Sequence, residues 1–256
     1  MPEAVAHQLV SQGVLPLCGM PEAVEAIEVA ARVGKQTICN VLIPPKITAS
    51  TVLSEVRAKQ ALTQHGLRLP KSQRADGTEM LAESARELGF PVVLKGEGVA
   101  HKTEAGAVVT GITDEQQLFA AAKAMPVDSF LVEQMITGTT VELLIGVVLD
   151  PAHGYVLTLA AGGTLTEILA DSTSMILPVQ SEDVRNALRK LRVAPLLDGY
   201  RGAPPANMGA IVDAVLALQS YVIAEMPFEI EINPLMCGPD GAIAADALIT
   251  TGECHD

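Results

Sequence analysis

The sequence predicts an α+β (mixed α/β) fold with antiparallel sheets, on three observations. Strand and helix patterns are interspersed between residues 54 and 134 as helix, strand, strand, helix, strand, which is not the strict alternation of a parallel sheet. Asp150-Pro-Ala-His-Gly154 joins two long strand patterns, Thr140–Leu149 and Tyr155–Ala161, as a hairpin. Gly238-Pro-Asp-Gly241 makes a second hairpin near the C-terminus, with proline fixing φ at the second position of a type I turn and glycine closing it.

The remaining elements follow in order. Val14-Leu-Pro-Leu17 has the pattern of a short strand, and Pro21 opens an Ala/Glu/Val-rich helix to about Val33, stopped by Gly34. One strand and a couple of helices cannot bury a core, so residues 1–40 read as a fragment of something larger. Val41-Leu-Ile-Pro-Pro-Lys-Ile-Thr48 reads as a linker, its prolines excluding regular helix. Ser54 can cap a helix ended by Gly66, and Asp76-Gly-Thr-Glu79 suits a capping box for a helix ending near Gly89. Pro91–Lys95 and Ala107–Thr110 are strands, Thr113-Asp-Glu-Gln116 caps a helix to about Met125, and Ser129–Gln134 is a further strand. Helices over about 181–192 and 206–225 precede the C-terminal hairpin, and no internal repeat interrupts the order.

At 256 residues the chain can form one large domain or two smaller ones. It is 49% hydrophobic but only 3% aromatic, with no Trp, which suits helices packed on sheets better than a base-stacking or carbohydrate-binding surface. No apolar run approaches the ~20 residues that span a bilayer, and the N-terminus lacks the basic-then-apolar pattern of a signal peptide. Cys18, Cys39, Cys237 and Cys254 form no Cys-x-x-Cys pair, which argues for reduced thiols in a cytoplasmic protein and against a zinc site. The net charge of −13 disfavours a nucleic-acid partner. Phosphate ligands remain open to it, because local cations, backbone N–H groups and Mg²⁺ can override the mean field.

Chemistry concentrates in two places. Along Phe228-Glu-Ile-Glu-Ile-Asn-Pro-Leu235 the alternation puts Glu229, Glu231 and Asn233 on one face of a strand. Centring the turn between Pro239 and Asp240 sets Asn233 opposite Asp246, an amide oxygen beside a carboxylate. A few hard oxygen donors that leave room for water and phosphate oxygens suit Mg²⁺ held with a nucleotide; an acidic, solvated edge hairpin is the plainer alternative. The second place is Lys95, at the end of an apolar strand. It can reach into a cleft as a point charge for phosphate or snorkel at the strand end. Gly96, Gly98 and Gly106 bracket a loop holding His101-Lys102-Thr103, where the backbone could closely approach an anion.

Pro91-Val-Val-Leu-Lys95, His101-Lys-Thr-Glu-Ala-Gly106, Leu131-Val-Glu-Gln-Met135, Gly199-Tyr-Arg-Gly-Ala-Pro-Pro205 and Glu231-Ile-Asn-Pro-Leu235 occur in order. Together they resemble the ATP-grasp domain of NDP-forming acyl-CoA synthetases, relatives of the succinyl-CoA synthetase β subunit, over about residues 47–251. The resemblance implies an ATP-grasp domain at 46–256 with two α+β subdomains, a small nucleotide-binding one at about 68–134 and a larger Mg-binding one at about 135–256. Residues 1–45 then resemble the closing strand and helix of a flavodoxin-like CoA-ligase domain, followed by a linker.

The resemblance also implies roles. Lys95 would contact nucleotide phosphates, and Glu133, Gln134, Met135 and Ile136 would form the hinge that reads adenine through backbone groups and an apolar cover. Glu142 would hold the ribose hydroxyls, and Asn233 and Asp246 would bind Mg²⁺, with Glu231 as a further ligand. His101 is similar to a phosphoryl-accepting histidine that relays phosphate to a second histidine in the CoA-ligase half; a solvated loop histidine is the plainer reading. An arginine usually occupies the position of Met175, where a cation would neutralise the transferring phosphoryl group. Arg201, Lys102 or a partner residue would have to replace it.

The implied activity is carboxylate + CoA + ATP to acyl-CoA + ADP + phosphate, through acyl phosphate and phosphohistidine. Its cofactors are Mg²⁺ and ATP/ADP. Its partners are a CoA-binding (CoA-ligase) domain or α subunit and a small carboxylic acid or acyl phosphate, in an oligomeric assembly with no nucleic acid and no membrane. Two other expectations compete. One is a catalytically weakened nucleotide-binding regulatory or assembly module, to which Met175 points. The other is a different ATP-grasp carboxylate ligase, against which the His101-Lys102 loop and residues 1–40 argue.

Overall fold

A computed structural model describes residues 2–14, 16, 19–33, 41–42, 47–98, 106–163 and 170–254. The chain divides into two units, Met1–Asn40 and Val41–Asp256. The first contains helices α1 (Glu3–Ser11) and α2 (Met20–Val33). No residue of α1 is buried, and Met20, Val24 and Ile27, spaced to share one face of α2, are all exposed. Of the strand expected at 14–17, Val14 and Pro16 belong to neither helix nor strand, while Leu15 and Leu17 lie outside the described residues.

The second unit is built on two antiparallel sheets. The larger contains β1 (Ile47–Val52), β6 (Val141–Asp150), β7 (Gly154–Ala161), β8 (Ser172–Ile176), β9 (Glu229–Gly238), β10 (Gly241–Ala244) and β11 (Ala247–Cys254). Its strand order is β1-β11-β9-β6-β7-β8, with β10 also beside β9. The smaller contains β2 (Ser72–Asp76), β3 (Val92–Gly96), β4 (Val108–Ile112) and β5 (Ser129–Gln134), in the order β2-β5-β3-β4. The helices of this unit are α3 (Glu55–Gln64), α4 (Thr78–Leu88), α5 (Glu115–Ala124), α6 (Ser181–Lys190), the short α7 (Ala194–Leu197) and α8 (Met208–Glu225).

Each sheet has its own apolar core. Val92, Leu94 and Val132 of the small sheet pack on Leu81 of α4 and Leu118 of α5. Leu143, Ile145, Ile230 and Ile232 of the large sheet pack on Val184 of α6 and on Ile211, Val215 and Leu218 of α8. At 18 residues α8 is long and apolar enough to cross a membrane by length and composition alone, although Asp213, Gln219 and Ser220 interrupt its apolar run. Its place in the large core accounts for that hydropathy.

Of the three helix starts expected from capping residues, one is capped by its side chain. Asp114 caps α5 as expected, accepting the Gln117 N–H at 2.8 Å. Ser54 stands at the N-cap of α3 without a side-chain bond. The capping box expected at Asp76–Glu79 does not form: Gly77 is the N-cap, and Asp76 is drawn into β2, where it accepts the Ser129 hydroxyl at 2.7 Å. The edge strands β1, β2 and β8 escaped the sequence reading, as did the inner strand β11 and the short helix α7. An edge strand is not buried on both sides, so Ser72-Gln-Arg-Ala-Asp76 and Ser172-Thr-Ser-Met-Ile176 carry little apolar pattern. Ile47 and Thr48, read as linker, begin β1.

A buried ionic cluster ties the two sheets to α3. Lys95 and Glu133 lie on the face of the small sheet away from its core, and Glu55 and Lys59 stand one turn apart on α3. Lys95 Nζ is 2.9 Å from Glu55 Oε1 and 2.9 Å from Glu133 Oε2, and it donates to the Ala245 carbonyl, in the β10–β11 connection, at 2.8 Å. Lys59 Nζ is 2.7 Å from Glu55 Oε1 and also bonds Glu133 Oε1. All four side chains are only 2–8% exposed. Each cation bridges both carboxylates, so no buried charge is left uncompensated.

Two outcomes follow from this packing. Glu133→Ala leaves two buried ammonium groups with one carboxylate, and denaturant unfolding should show a loss of about 3–5 kcal/mol; unchanged stability would show the cluster to be energetically idle. Burial pushes the Cys237 thiol up to about 12, so at pH 8 it is not a thiolate. Peptide mapping after iodoacetamide treatment should find Cys237 unmodified in the native protein and alkylated after unfolding.

Candidate functional site

The site grows out of a bulge. Leu143 pairs with Leu235 and Ile145 with Ile232, so Leu144 faces two residues of β9, Asn233 and Pro234. The extra residue lets Ile232 and Leu235 both stay in the core while Asn233 turns outward and is exposed. On the other side of β9, Leu235 pairs with Ala244 and Ile232 with Ala247, and the Ala245 N–H donates to Pro234 O at 3.0 Å. Asn233 and Asp246 therefore stand opposite each other, as the hairpin register predicts. Asn233 Nδ2 donates to Glu231 Oε1 at 3.1 Å, which leaves the amide oxygen to face outward. Asp246 Oδ1 accepts the Ala247 N–H at 2.8 Å. No group of three His, Cys, Asp or Glu side chains able to hold a metal occurs among the described residues. The donor set here is one carboxylate, one amide oxygen and the nearby Glu231, which suits a hard cation that takes its other ligands from water or from a bound anion.

Lys95 joins this corner from the small sheet. Its ammonium is bonded to the carbonyl of Ala245, the residue before Asp246. Burial alone would lower its pKa, but the carboxylates of Glu133, Glu55 and Asp246 outweigh burial and hold it raised, so Lys95 stays charged. The sequence pictured a free point charge. The structure shows a cation whose three donors are all engaged.

The hinge residues run on from β5. The Glu133 side chain belongs to the ionic cluster, and its backbone sits in the ladder between Ser72 and Val93. The N–H of Gln134 donates to Lys71 O at 2.9 Å and that of Met135 to Pro91 O at 3.2 Å. Among the described residues the Ile136 N–H has no partner, and it is the first donor along the hinge left for a ligand. Thr139 Oγ1 is buried without a hydrogen bond. Beyond the hinge, Thr140 N–H donates to Cys237 O at 2.7 Å, and a Cβ on Gly238 would lie 2.5 Å from Gly138 O. Gly238, read as a turn residue, is thus needed for the close approach of the hinge segment to β9.

Glu142 opens β6 on the face opposite the core, the face that also carries Asn233 and Glu231. Among the described residues its carboxylate has no ion-pair partner. Gly162 donates its N–H to Glu142 O at 2.7 Å, and a Cβ there would lie 2.7 Å from the Glu142 carbonyl carbon. A carboxylate beside a glycine-lined strand end can accept from hydroxyl groups.

His101 and Lys102 lie outside the described residues. Arg201 adopts φ 50 and places its guanidinium 5.3 Å from the Tyr200 ring centre, a stacking contact within its own loop. Met175 pairs with Leu157 and packs against the large core. An arginine side chain in that orientation would meet apolar residues, so methionine fits the local packing. Sequence reading missed Glu55, Lys59 and the Ala245 carbonyl. A signal for the first two was present: Glu55, Ala58, Lys59 and Leu62 fall on one helical stripe, so two charges occupy the apolar face of α3.

Comparison with known proteins agrees with this architecture. The chain is 33% identical over 226 residues to a trans-feruloyl-CoA synthase of an unknown prokaryotic organism, covering 82% of this chain and 32% of that protein. It is 31% identical over 216 residues to the β subunit of the ADP-forming acetate–CoA ligase II of Pyrococcus furiosus, covering 78% of this chain and 91% of that subunit. It superposes on a dinucleotide-forming acetyl-coenzyme A synthetase of Ca. Korarchaeum cryptofilum, solved with coenzyme A and Ca-AMPCP, with a TM-score of 0.73 at 26% identity over 78% of this chain and 93% of that one. The chain spans about a third of the synthase and of the acetate–CoA ligase II of Archaeoglobus fulgidus. The ATP-grasp domain family matches residues 47–251. With the small sheet, nearly all of the large sheet and the Asn233–Asp246 hairpin inside that span, this chain belongs to the ATP-grasp domain family.

Proposed function

We propose that the chain is the nucleotide-handling part of an ADP-forming acyl-CoA synthetase, working with a CoA-binding domain or α subunit. The observation that carries this reading is the convergence of Lys95, Asp246 and Asn233 at one corner of the two sheets. A cation, a carboxylate and an outward amide oxygen side by side are what a metal–polyphosphate ligand requires. The named relatives support the rest, since several are ADP-forming acetate–CoA ligases or their β subunits. A further neighbour, 28% identical, holds coenzyme A and Mg-AMPPCP with its phosphohistidine segment pointing towards the nucleotide site.

In this reading Asn233 and Asp246 hold Mg²⁺, with Glu231 beside them, and the ion supplies charge neutralisation at the phosphates. Lys95 adds positive charge from the small-sheet side. The Ile136 N–H is the hinge donor for the base, and Glu142 accepts from the ribose hydroxyls. His101 attacks the terminal phosphorus of ATP, ADP leaves, and the phosphoryl group passes to a histidine of the partner and then to the carboxylate. CoA thiolate displaces phosphate from the resulting acyl phosphate, so the balance closes at acyl-CoA, ADP and phosphate. Met175 packs against the core, so in this reading the phosphoryl-neutralising cation comes from Arg201, Lys102 or the partner.

Calorimetry tests the binding half. The chain should bind ADP or ATP in the presence of Mg²⁺, and Asp246→Ala should weaken that binding roughly tenfold or more with the fold intact. A well-folded wild-type chain that binds no nucleotide would overturn the proposal. The chemistry has its own test: alone, the chain should make no acyl-CoA from acid, CoA and ATP, and adding the CoA-binding partner should restore turnover. With labelled ATP and the partner present, acid-labile label should appear on this chain and disappear in His101→Asn but not in His153→Asn. Full turnover by the His101→Asn complex would remove His101 from the relay.

A further inference from the structure

We infer that the groove between α3 and the C-terminal half of α8 is a second binding site, separate from the nucleotide corner, for a small free amino acid with an apolar side chain. The groove holds about 390 Å³, and Arg57 and Ala61 of α3, Tyr221 and Glu225 of α8, Leu53 and His65 are among the residues that line it. At 100° per residue, Arg57 and Ala61 point away from the side of α3 that carries Glu55 and Lys59, so the groove and the ionic cluster use opposite sides of one helix. Tyr221 supplies the observation that points to a ligand. It is only 3% exposed, and its ring lies in the large core. The His65 ring meets it edge-on at 5.3 Å, and His65 Nδ1 is itself 3.3 Å from Ser220 Oγ. Among the described residues the Tyr221 hydroxyl has no hydrogen bond, yet it is not sealed inside the protein, so it opens on the groove that the residue lines. Burial first, and the Glu225 carboxylate next, push its pKa above the ordinary tyrosine value. At neutral pH it is therefore an intact hydroxyl, able to donate and to accept.

Arg57 and Glu225 set the charge of the ligand. Both are exposed, and among the described residues neither has an ion-pair or hydrogen-bond partner. They line the same groove without pairing with each other, so a gap remains between the guanidinium and the carboxylate. A lone carboxylate at Arg57 would be opposed by Glu225, and a lone ammonium at Glu225 would be opposed by Arg57. A molecule that carries both charges satisfies both residues. The Tyr221 hydroxyl, one turn from Glu225, then accepts from the ammonium or donates to the carboxylate. Leu53 and Ala61 are half-buried and give an apolar side chain a surface to lie on. Water screens both charged contacts, so the expected dissociation constant is about 1 mM.

Methyl NMR of the full-length chain tests this, with L-valine as the probe. Isovalerate, which lacks the ammonium, and isobutylamine, which lacks the carboxylate, are the controls. L-Valine should shift the Leu53 and Ala61 methyl resonances in a saturable way, and each control should bind about fivefold more weakly or worse. Tyr221→Phe keeps the ring in the core and should weaken L-valine about threefold or more. Arg57→Gln and Glu225→Gln change exposed side chains, and each should weaken L-valine about fivefold or more. Glu225→Gln should at the same time improve isovalerate, and Arg57→Gln should improve isobutylamine, an exchange of preference that a purely structural role would not produce. The absence of any shift at Leu53 and Ala61 up to about 20 mM L-valine would overturn the inference. So would a control that binds as tightly as L-valine, or unchanged L-valine affinity in any of the three variants. The nucleotide reading is tested by a different ligand and stands or falls separately.

Discussion

The structure turns on the need to neutralise two carboxylates, Glu55 and Glu133, that are almost wholly shielded from water. A buried charge without a partner is so costly that its surroundings must supply a counter-ion. Here Lys59 and Lys95 supply it, and each reaches a different element. The consequence is geometric: α3, the small sheet and the β10–β11 connection of the large sheet must all meet at one point. Glu133 and Lys95 are able to meet because β3 and β5 are neighbours in register, Lys95 pairing with Leu131 and Val93 with Glu133. That contact lies on the face of the small sheet left over once Val92, Leu94 and Val132 have gone to its own core.

The large sheet follows the same rule from the apolar side. Leu143, Ile145, Ile230, Ile232 and Leu235 must face α6 and α8, and strict alternation cannot place both Ile232 and Leu235 inside. The extra residue at Asn233–Pro234 resolves the conflict and sends Asn233 to the open face, beside Glu231 and opposite Asp246. The oxygen donors of the candidate metal site are thus a by-product of core packing at a bulge. Because Lys95 is bonded to the carbonyl next to Asp246, the ionic cluster and the bulge hold their charges at a fixed mutual position. This arrangement lets a chain of net charge −13 offer a local site to phosphate.

The relation to the ATP-grasp relatives is consistent with this division of labour. The match covers residues 47–251, the part that contains the small sheet and nearly all of the large one. It leaves out the unit at Met1–Asn40, whose described helices bury little apolar surface of their own. Met175, where the resemblance leads one to look for an arginine, belongs to the core-facing side of an edge strand.

By itself, the sequence determined what is local or periodic. The α+β class, the hairpin at Asp150–Gly154, the cap at Asp114 and the pairing of Asn233 with Asp246 all follow from alternation, turn chemistry and counting along one chain. Helix and strand identity held for most segments of clear period, α4, α5, α6, α8, β3, β5, β6 and β7 among them. It failed at the edge strands β1, β2 and β8, where β2 and β8 are largely polar, and at the inner strand β11. Only the tertiary structure decided the state of Lys95. Its partners Glu55, Glu133 and Ala245 come from three elements, up to 150 residues away in sequence, and no local pattern encodes a charge balance among them. The capping box at Asp76 was overruled for a related reason: pairing with β5 offered Asp76 the Ser129 hydroxyl, a partner that sequence proximity could not reveal. Local propensity sets which elements form, whereas the cost of burying charge sets where they meet, and that cost exists only once the chain has closed around it.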